Sequence, residues 1–305
     1  MDTRAVTVRK IALAILTMAL LAFPCAADHD DSSVPDAPAV PLEKKSFDQL
    51  SERAVSRSGE RALDMTTVQW EHSETEHFIF HTEAGFSTPQ LANAAEMFYA
   101  SIKKDLGITN DTFERKSHIY VFLNESAWHE FTSKVSVEQW TGGFCTGREL
   151  FFQTRANYKF QGTTLPHEMT HLALYRFVGG DIPLWLNEGF AEFEGTRLFR
   201  SYLKRHGLNV RGLNPPVATN QYVSVDTLTR AVDYPSDTED VKTFYVESER
   251  LVNYLYTQAG GLPRLVNFIK RQSAGSTFET SARDIYQFQD PADVDKKFLP
   301  YATKE

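Results

Sequence analysis

Residues 165–172 read Leu-Pro-His-Glu-Met-Thr-His-Leu, a stretch in which His167 and His171 are separated by one helical turn. The stretch predicts a helix on which the two imidazoles lie about 40° apart on one face, so that they can converge on one metal ion. Glu168 lies about 100° round from His167, near the open side of that ion. In this position its carboxylate can hold a water molecule for reaction.

A second stretch, residues 182–192, reads Ile-Pro-Leu-Trp-Leu-Asn-Glu-Gly-Phe-Ala-Glu. A zinc site needs a third protein ligand and one open position for water. Glu188 lies on the next predicted helix, and two antiparallel helices joined by a short link can place it opposite the histidines. Glu192 lies one turn beyond Glu188 on the same face and can accept the distal N–H of a ligating histidine. Spacing alone leaves Glu192 as a rival for the third ligand position.

These two stretches together resemble the gluzincin metallopeptidases, and most closely the bacterial peptidase MA-like proteins. The resemblance implies an α+β fold of the thermolysin/aminopeptidase-like zincin type. Such a fold has a small mixed N-terminal sheet, an active-site helix and a helical C-terminal lobe. The resemblance further implies one Zn²⁺ ion per chain, with His167, His171 and Glu188 as metal ligands and Glu168 as the catalytic base.

Two more expectations come from the same resemblance. Glu192 takes the place of an acid that supports a ligating histidine, and Tyr245 takes the place of a catalytic tyrosine that donates to the developing oxyanion. Aminopeptidases of this group carry Gly-x-Met-Glu-Asn upstream, and its glutamate binds the amino terminus of the substrate. Residues 142–146 here read Gly-Gly-Phe-Cys-Thr and lack that glutamate, which favours an endopeptidase.

The sequence therefore predicts a zinc metallopeptidase that acts on a peptide or protein substrate. Two other functions remain open at this stage. One is a catalytically silent binding module of the cell envelope on the same fold, and the other is a metal hydrolase of a non-peptide amide or ester. The presence of Glu168 beside all three ligands argues against the silent module.

Composition limits the class of protein further. The chain has 305 residues, of which 42% are hydrophobic and 24% charged, and its formal net charge is −8. An acidic chain of this kind does not indicate a nucleic-acid partner. Only one long apolar run occurs, at the N-terminus, which argues against a membrane protein with several spans.

The N-terminus has the order of a secretory signal peptide. Basic residues precede an apolar run over residues 11–23, and small residues follow up to Ala27. We expect cleavage near Ala27, export to the periplasm or the medium, and no stable membrane insertion afterwards. An uncleaved anchor and lipidation of Cys25 are the alternatives. Cleavage leaves Cys145 as the single cysteine, which is expected to be a small buried residue without a disulfide.

The rest of the chain divides into three regions: a disordered tether (28–45), an α/β zincin lobe (46–200) and a helical lobe (201–305). Residues 77–82, 117–123 and 149–154 are predicted strands, with a turn at Gly142 and Gly143. Helices are predicted over the following ranges: 90–106, from near 125, 163–178, 184–200, 241–258, 263–272 and 278–287.

The remaining polar residues are given ordinary structural roles. His77 and His81 are predicted to share one face of a strand at the surface. Glu194 points away from the face of Glu188 and Glu192 and is expected to be solvated. The other histidines have no partner at ligand spacing: His72, His118, His129 and His206.

Overall fold

The computed structural model describes residues 40–109, 115–138, 141–154, 162–205 and 215–304. The signal peptide predicted over residues 1–27 and the tether up to residue 39 lie outside the described residues. The last part of the predicted tether is not disordered, because Glu43–Lys45 form a strand that pairs with the segment around His72.

Six strands occur among the described residues: β1 (Glu43–Lys45), β2 (Trp70–Glu74), β3 (Phe78–Glu83), β4 (Ser117–Phe122), β5 (Gly143–Thr146) and β6 (Glu149–Gln153).

The helices of the same residues are α1 (Arg57–Leu63), α2 (Thr88–Asp105), α3 (Glu125–Val135), α4 (Thr164–Ala173), α5 (Leu184–Arg205), α6 (Val225–Thr229), α7 (Thr238–Thr257), α8 (Gly261–Ser273), α9 (Phe278–Tyr286) and α10 (Pro291–Ala302).

The strands form one mixed sheet in the order β1-β2-β3-β4-β6-β5. The central strands β3, β4 and β6 run parallel, whereas β1, β2 and β5 join antiparallel to their neighbours. Ten α-helices of the described residues accompany this sheet, so the predicted α+β class with a small mixed sheet is confirmed.

Alternation along the strands divides the apolar side chains between the two faces of the sheet. Phe78 and Phe80 belong to the large core that continues through α2 and α4 into the C-terminal helices. Tyr120 and Phe122 belong to a second, aromatic core on the other face, which α1 and α3 cover. The helix with the two histidines therefore lies against one face of the sheet, beside β5 and β6.

Helix α5 lies between α4 and α7. A small residue permits the close approach of α5 to α7, because a Cβ atom on Gly189 would lie 2.5 Å from the carbonyl oxygen of Ser248. The boundary predicted at residue 200 falls inside α5. The large core is shared by the sheet and the C-terminal helices.

Most elements lie where the sequence places them, and five were missed: β1, β2, β5, α6 and α10. β2 has few apolar residues, and β5 begins at Gly143, where a turn was predicted. α10 begins at Pro291, beyond the last predicted helix. Among the described residues, no helix combines the length and the apolar character that a membrane span requires.

Candidate metal centre

The two histidines of α4 face each other in the interior. His167 and His171 are almost completely buried, and their Nε2 atoms lie 2.9 Å apart. Glu188, on α5, is fully buried, and its Oε2 lies 3.6 Å from Nε2 of His167 and 3.4 Å from Nε2 of His171. Within the described part of the chain, these three residues are the one group of His, Cys, Asp and Glu that could hold a metal ion.

In each ring, Nε2 is the inner nitrogen, which faces the other histidine, and Nδ1 is the outer nitrogen. The partner of Nδ1 influences which nitrogen carries the proton, and thus whether Nε2 can bind a metal ion. Nδ1 of His167 lies 3.2 Å from Oε1 of Glu192, and Nδ1 of His171 donates to Oδ1 of Asn187 at 3.2 Å. Both neighbouring oxygens are acceptors, which in the neutral rings favours a proton on Nδ1 and a lone pair on Nε2. Two lone pairs and a carboxylate oxygen thus converge without a donor among them.

Such a set of acceptors fits a divalent cation. Two imidazole nitrogens and one carboxylate oxygen are the protein ligands of a catalytic zinc site, which keeps its fourth position for water. Although burial would raise the pKa of Glu188, His171 and His167 lower it well below its ordinary value. The ligand carboxylate is therefore ionised, as metal binding requires.

Spacing left Glu188 and Glu192 as rivals for the third ligand position. Glu188 points its Oε2 to the Nε2 atoms of both histidines, whereas Glu192 contacts Nδ1 of His167. The side chain of Glu192 is 23% exposed. An acid in this position orients the ring and fixes its tautomer.

Glu168 follows His167 on α4 and is completely buried. Neither of its carboxylate oxygens has a hydrogen-bond partner among the described residues. Burial raises the pKa of Glu168 to about 8, while His167 lowers it and Glu188 raises it further. A buried carboxylate without a partner, beside a set of metal ligands, is suited to accept a proton from a bound molecule.

Tyr245 lies on α7 with its ring centroid 6.5 Å from that of His167. Its hydroxyl is buried and has no hydrogen-bond partner among the described residues. The contact of α7 with α5 brings this hydroxyl to the side of the metal ligands.

Two polar residues of the site were missed in the sequence. Asn187 holds the outer nitrogen of His171, and the Asn-Glu pair in residues 182–192 contained that signal. Tyr234 donates its hydroxyl to Oε1 of Glu188 at 2.7 Å. No local sequence pattern predicted the contact of Tyr234 with Glu188, because the two residues lie far apart in the sequence.

The prediction that Glu194 is solvated was wrong. Its side chain is completely buried and lies 2.7 Å from the guanidinium of Arg197, which also pairs with Asp105 at the end of α2. Both α4 and α7 pack on helix α5. Residues outside the face that carries Glu188 are therefore also buried.

The surface position predicted for His81 was also wrong, as was the isolation of His72 and His118. The antiparallel register of β2 and β3 sets His72 opposite His81, and their Nδ1 atoms lie 2.9 Å apart. Nε2 of His81 lies 2.8 Å from Nδ1 of His118, with the two rings almost parallel. His77 instead contacts Glu96, at 2.6 Å. Cys145 is buried as expected.

Solved structures with similar parts include an M1 zinc metallopeptidase from Deinococcus radiodurans, with 13% sequence identity and a TM-score of 0.42. That match covers 75% of this chain and 48% of the other. The native yeast LTA4 hydrolase gives 15% identity and a TM-score of 0.45, over 78% of this chain and 40% of the other. The chain thus spans less than half the length of either protein. No curated protein matches the chain significantly.

A protein-family model gives the wider assignment. The model of the Peptidase MA superfamily matches residues 99–301, which include α4, α5 and α7 with every residue of the metal centre. Because this match extends over more than half of the chain, the protein belongs to the Peptidase MA superfamily.

Proposed function

We propose that this protein is a zinc-dependent endopeptidase that hydrolyses bonds within peptide or protein substrates. The observation that carries the proposal is the convergence of two Nε2 lone pairs and one carboxylate oxygen, from His167, His171 and Glu188, beside the unpartnered carboxylate of Glu168. Membership of the Peptidase MA superfamily supports a hydrolytic metal site rather than a structural one.

In the proposed reaction, His167, His171 and Glu188 hold the zinc ion. When bound, zinc supplies Lewis-acid chemistry that acidifies water and polarises the scissile carbonyl. Glu168 accepts a proton from the attacking water as the carbon–oxygen bond forms, and returns that proton to the leaving amine as the carbon–nitrogen bond breaks. The hydroxyl of Tyr245 donates to the oxyanion that develops on the carbonyl oxygen.

The edge strand beside α4 supports cleavage within a chain rather than at its amino terminus. β5 ends the sheet, and one of its edges is not paired with another described strand. Such an edge can bind an extended peptide through main-chain hydrogen bonds. Its four residues are Gly143, Phe144, Cys145 and Thr146, so β5 offers no carboxylate to bind a free amino terminus.

The location of the enzyme is part of the proposal. The basic and apolar order of residues 1–27 supports export through a cleaved signal peptide, with activity in the periplasm or the medium.

The test is a library of internally quenched peptides with acetylated N-termini, cleaved by the wild-type protein and by Glu168→Gln. We expect cleavage by the wild type, loss of cleavage with a chelator, and recovery after zinc is added back. The Glu168→Gln protein serves as a control for contaminating peptidases and should be inactive. Cleavage limited to substrates with a free α-amine would overturn the endopeptidase assignment, and no cleavage of any peptide would overturn the peptidase assignment.

A further inference from the structure

Tyr234 reaches the metal centre from a surface segment. It lies in residues 231–237, between α6 and α7, where the nearby Val232 is 76% exposed. The ring of Tyr234 instead points inward, parallel to the ring of Tyr245 at 6.0 Å and edge-on to Phe244 at 6.0 Å. At the end of this ring, the hydroxyl donates to Oε1 of Glu188.

The two oxygens of Glu188 consequently have different partners. Oε2 faces the Nε2 atoms of His167 and His171, whereas Oε1 accepts the hydrogen bond from Tyr234. The carboxylate is fully buried, so water cannot replace a lost donor at low cost. The hydrogen bond at Oε1 holds the carboxylate with Oε2 turned to the histidines, which favours metal binding through Oε2 alone.

We propose that Tyr234 is a positioning residue that holds Oε1 of Glu188 and thereby makes this glutamate a one-oxygen ligand. The inference rests on the proposed function, because it concerns the zinc site of that function. One-oxygen ligation gives three protein ligand atoms and preserves the fourth position, which a catalytic zinc site needs for water. A second oxygen from Glu188 would compete for that position.

The surroundings of Tyr234 are arranged to hold it. Two acids anchor the chain at the start of α6: the buried Glu247 accepts from the backbone of Val223 at 3.2 Å, and the half-buried Asp295 accepts from the backbone of Val225 at 2.8 Å. After the segment, α7 carries Phe244 and Tyr245, which pack on the ring. Tertiary contacts before and after the segment of residues 231–237 therefore hold the hydroxyl of Tyr234 at Glu188.

Tyr234 and Tyr245 have separate roles in this arrangement. The hydroxyl of Tyr234 donates to a ligand carboxylate, whereas the hydroxyl of Tyr245 lies beside that of Tyr234 and makes no hydrogen bond to a metal ligand among the described residues. Removal of the first hydroxyl should change the metal site, and removal of the second should change turnover alone. This difference supplies a matched pair of variants.

The experiment compares Tyr234→Phe with Tyr245→Phe in the full-length mature protein. Zinc affinity is measured by competition with a chromophoric chelator, and the coordination number is read from the visible absorption of the Co²⁺-substituted protein. We expect Tyr234→Phe to bind zinc about 10–100-fold more weakly, the usual effect of losing a partner of a metal ligand. Its Co²⁺ absorption should weaken, as expected for more than four ligands, while Tyr245→Phe keeps the wild-type affinity and spectrum.

A third variant separates the hydroxyl from ring packing. Phe keeps the ring that packs on Phe244 and Tyr245, whereas Tyr234→Leu removes ring and hydroxyl together. If Tyr234→Phe matches the wild type in affinity and spectrum and only Tyr234→Leu is impaired, Tyr234 acts through packing and the inference is overturned. A wild-type protein that binds no zinc would overturn the proposed function as well, so the two failures are distinguishable.

Discussion

Nε2 of His167 lies 2.9 Å from Nε2 of His171, although the contacts of both rings through Nδ1 leave these two atoms as acceptors. Two lone pairs at this distance, with Oε2 of Glu188 beside both, fit a divalent cation held by all three atoms. The arrangement therefore depends on the helical spacing within α4 and on three residues of α5: Asn187, Glu188 and Glu192.

The first prediction concerns metal content. The mature protein should contain one zinc ion per chain, and His167→Ala or His171→Ala should reduce this to near zero, because two protein ligands do not make a catalytic zinc site. Glu192→Ala should keep the ion but weaken its affinity about 10–100-fold, since it leaves His167 without its orienting partner. Metal analysis after dialysis checks this, with His129→Ala as the control that retains the ion. A zinc content near zero that added zinc fails to raise contradicts the prediction.

The second prediction separates metal binding from turnover. Glu168→Gln should retain zinc and lose about 10²–10⁴-fold in kcat, because the amide cannot accept the proton of the water. Tyr245→Phe should lose about 10²–10³-fold, since it removes one donor to the oxyanion. Steady-state kinetics with metal analysis of the same samples decides both. Equal turnover by Glu168→Gln and wild type would refute the proposed mechanism, whereas a silent Tyr245→Phe would refute only the role of Tyr245.

The third prediction tests the packing of α5 against α7. Gly189→Ala should destabilise the protein by about 1–3 kcal/mol, because its Cβ would lie 2.5 Å from the backbone oxygen of Ser248 and force α7 outward. Gly195→Ala is the matched control on the same helix. Its Cβ would lie 3.2 Å from its nearest atom, the carbonyl oxygen of Thr163, so the cost should be smaller. Urea unfolding of both variants measures the difference, and equal costs would count against the close contact.

The fourth prediction concerns acid stability. Burial lowers the pKa of His118 to about 4, despite the opposing effect of Glu52, and burial together with His118 and His72 lowers the pKa of His81. The histidines of the unfolded chain titrate near 6.5, so below that pH the unfolded chain binds more protons than the folded one. The contribution of His118 to the free energy of unfolding should therefore fall as the pH falls from 6.5 towards 4, by about 2 kcal/mol between pH 7 and 5.

Urea unfolding of the wild type and of His118→Gln at pH 7 and at pH 5 isolates that contribution. The change in unfolding free energy between the two pH values should differ by about 2 kcal/mol between the two proteins, because Gln does not titrate and keeps an acceptor for His81. His129→Gln, at a half-exposed histidine on α3, should leave that change as it is in the wild type. If the change with pH is the same in His118→Gln as in the wild type, the buried His118 does not contribute to it.

The fifth prediction concerns processing. Protein recovered from its native host should begin at or near Asp28, because a 13-residue apolar run is shorter than the about 20 residues of a membrane span and is followed by small residues. N-terminal sequencing checks this. An intact Met1 on the exported protein would refute cleavage.

The parts of the site that were predictable lie close together in the chain. His167, Glu168 and His171 are related by the turn of one helix, whose geometry depends on local backbone hydrogen bonds. The same regularity relates Glu188 to Glu192. The strands and helices with a clear apolar pattern were also predictable, because side-chain alternation and helical spacing are local properties.

The sequence by itself thus determined the class of the fold and the residue types of the metal centre. Only the tertiary structure decided the partners: Tyr234 on Glu188, and His81 between His72 and His118. It also decided that Glu194 is buried and that Gly143 begins a strand. The physical reason is that these contacts join segments far apart in the chain. Such contacts depend on strand register and helix packing, which arise from burial of the whole core rather than from any short pattern.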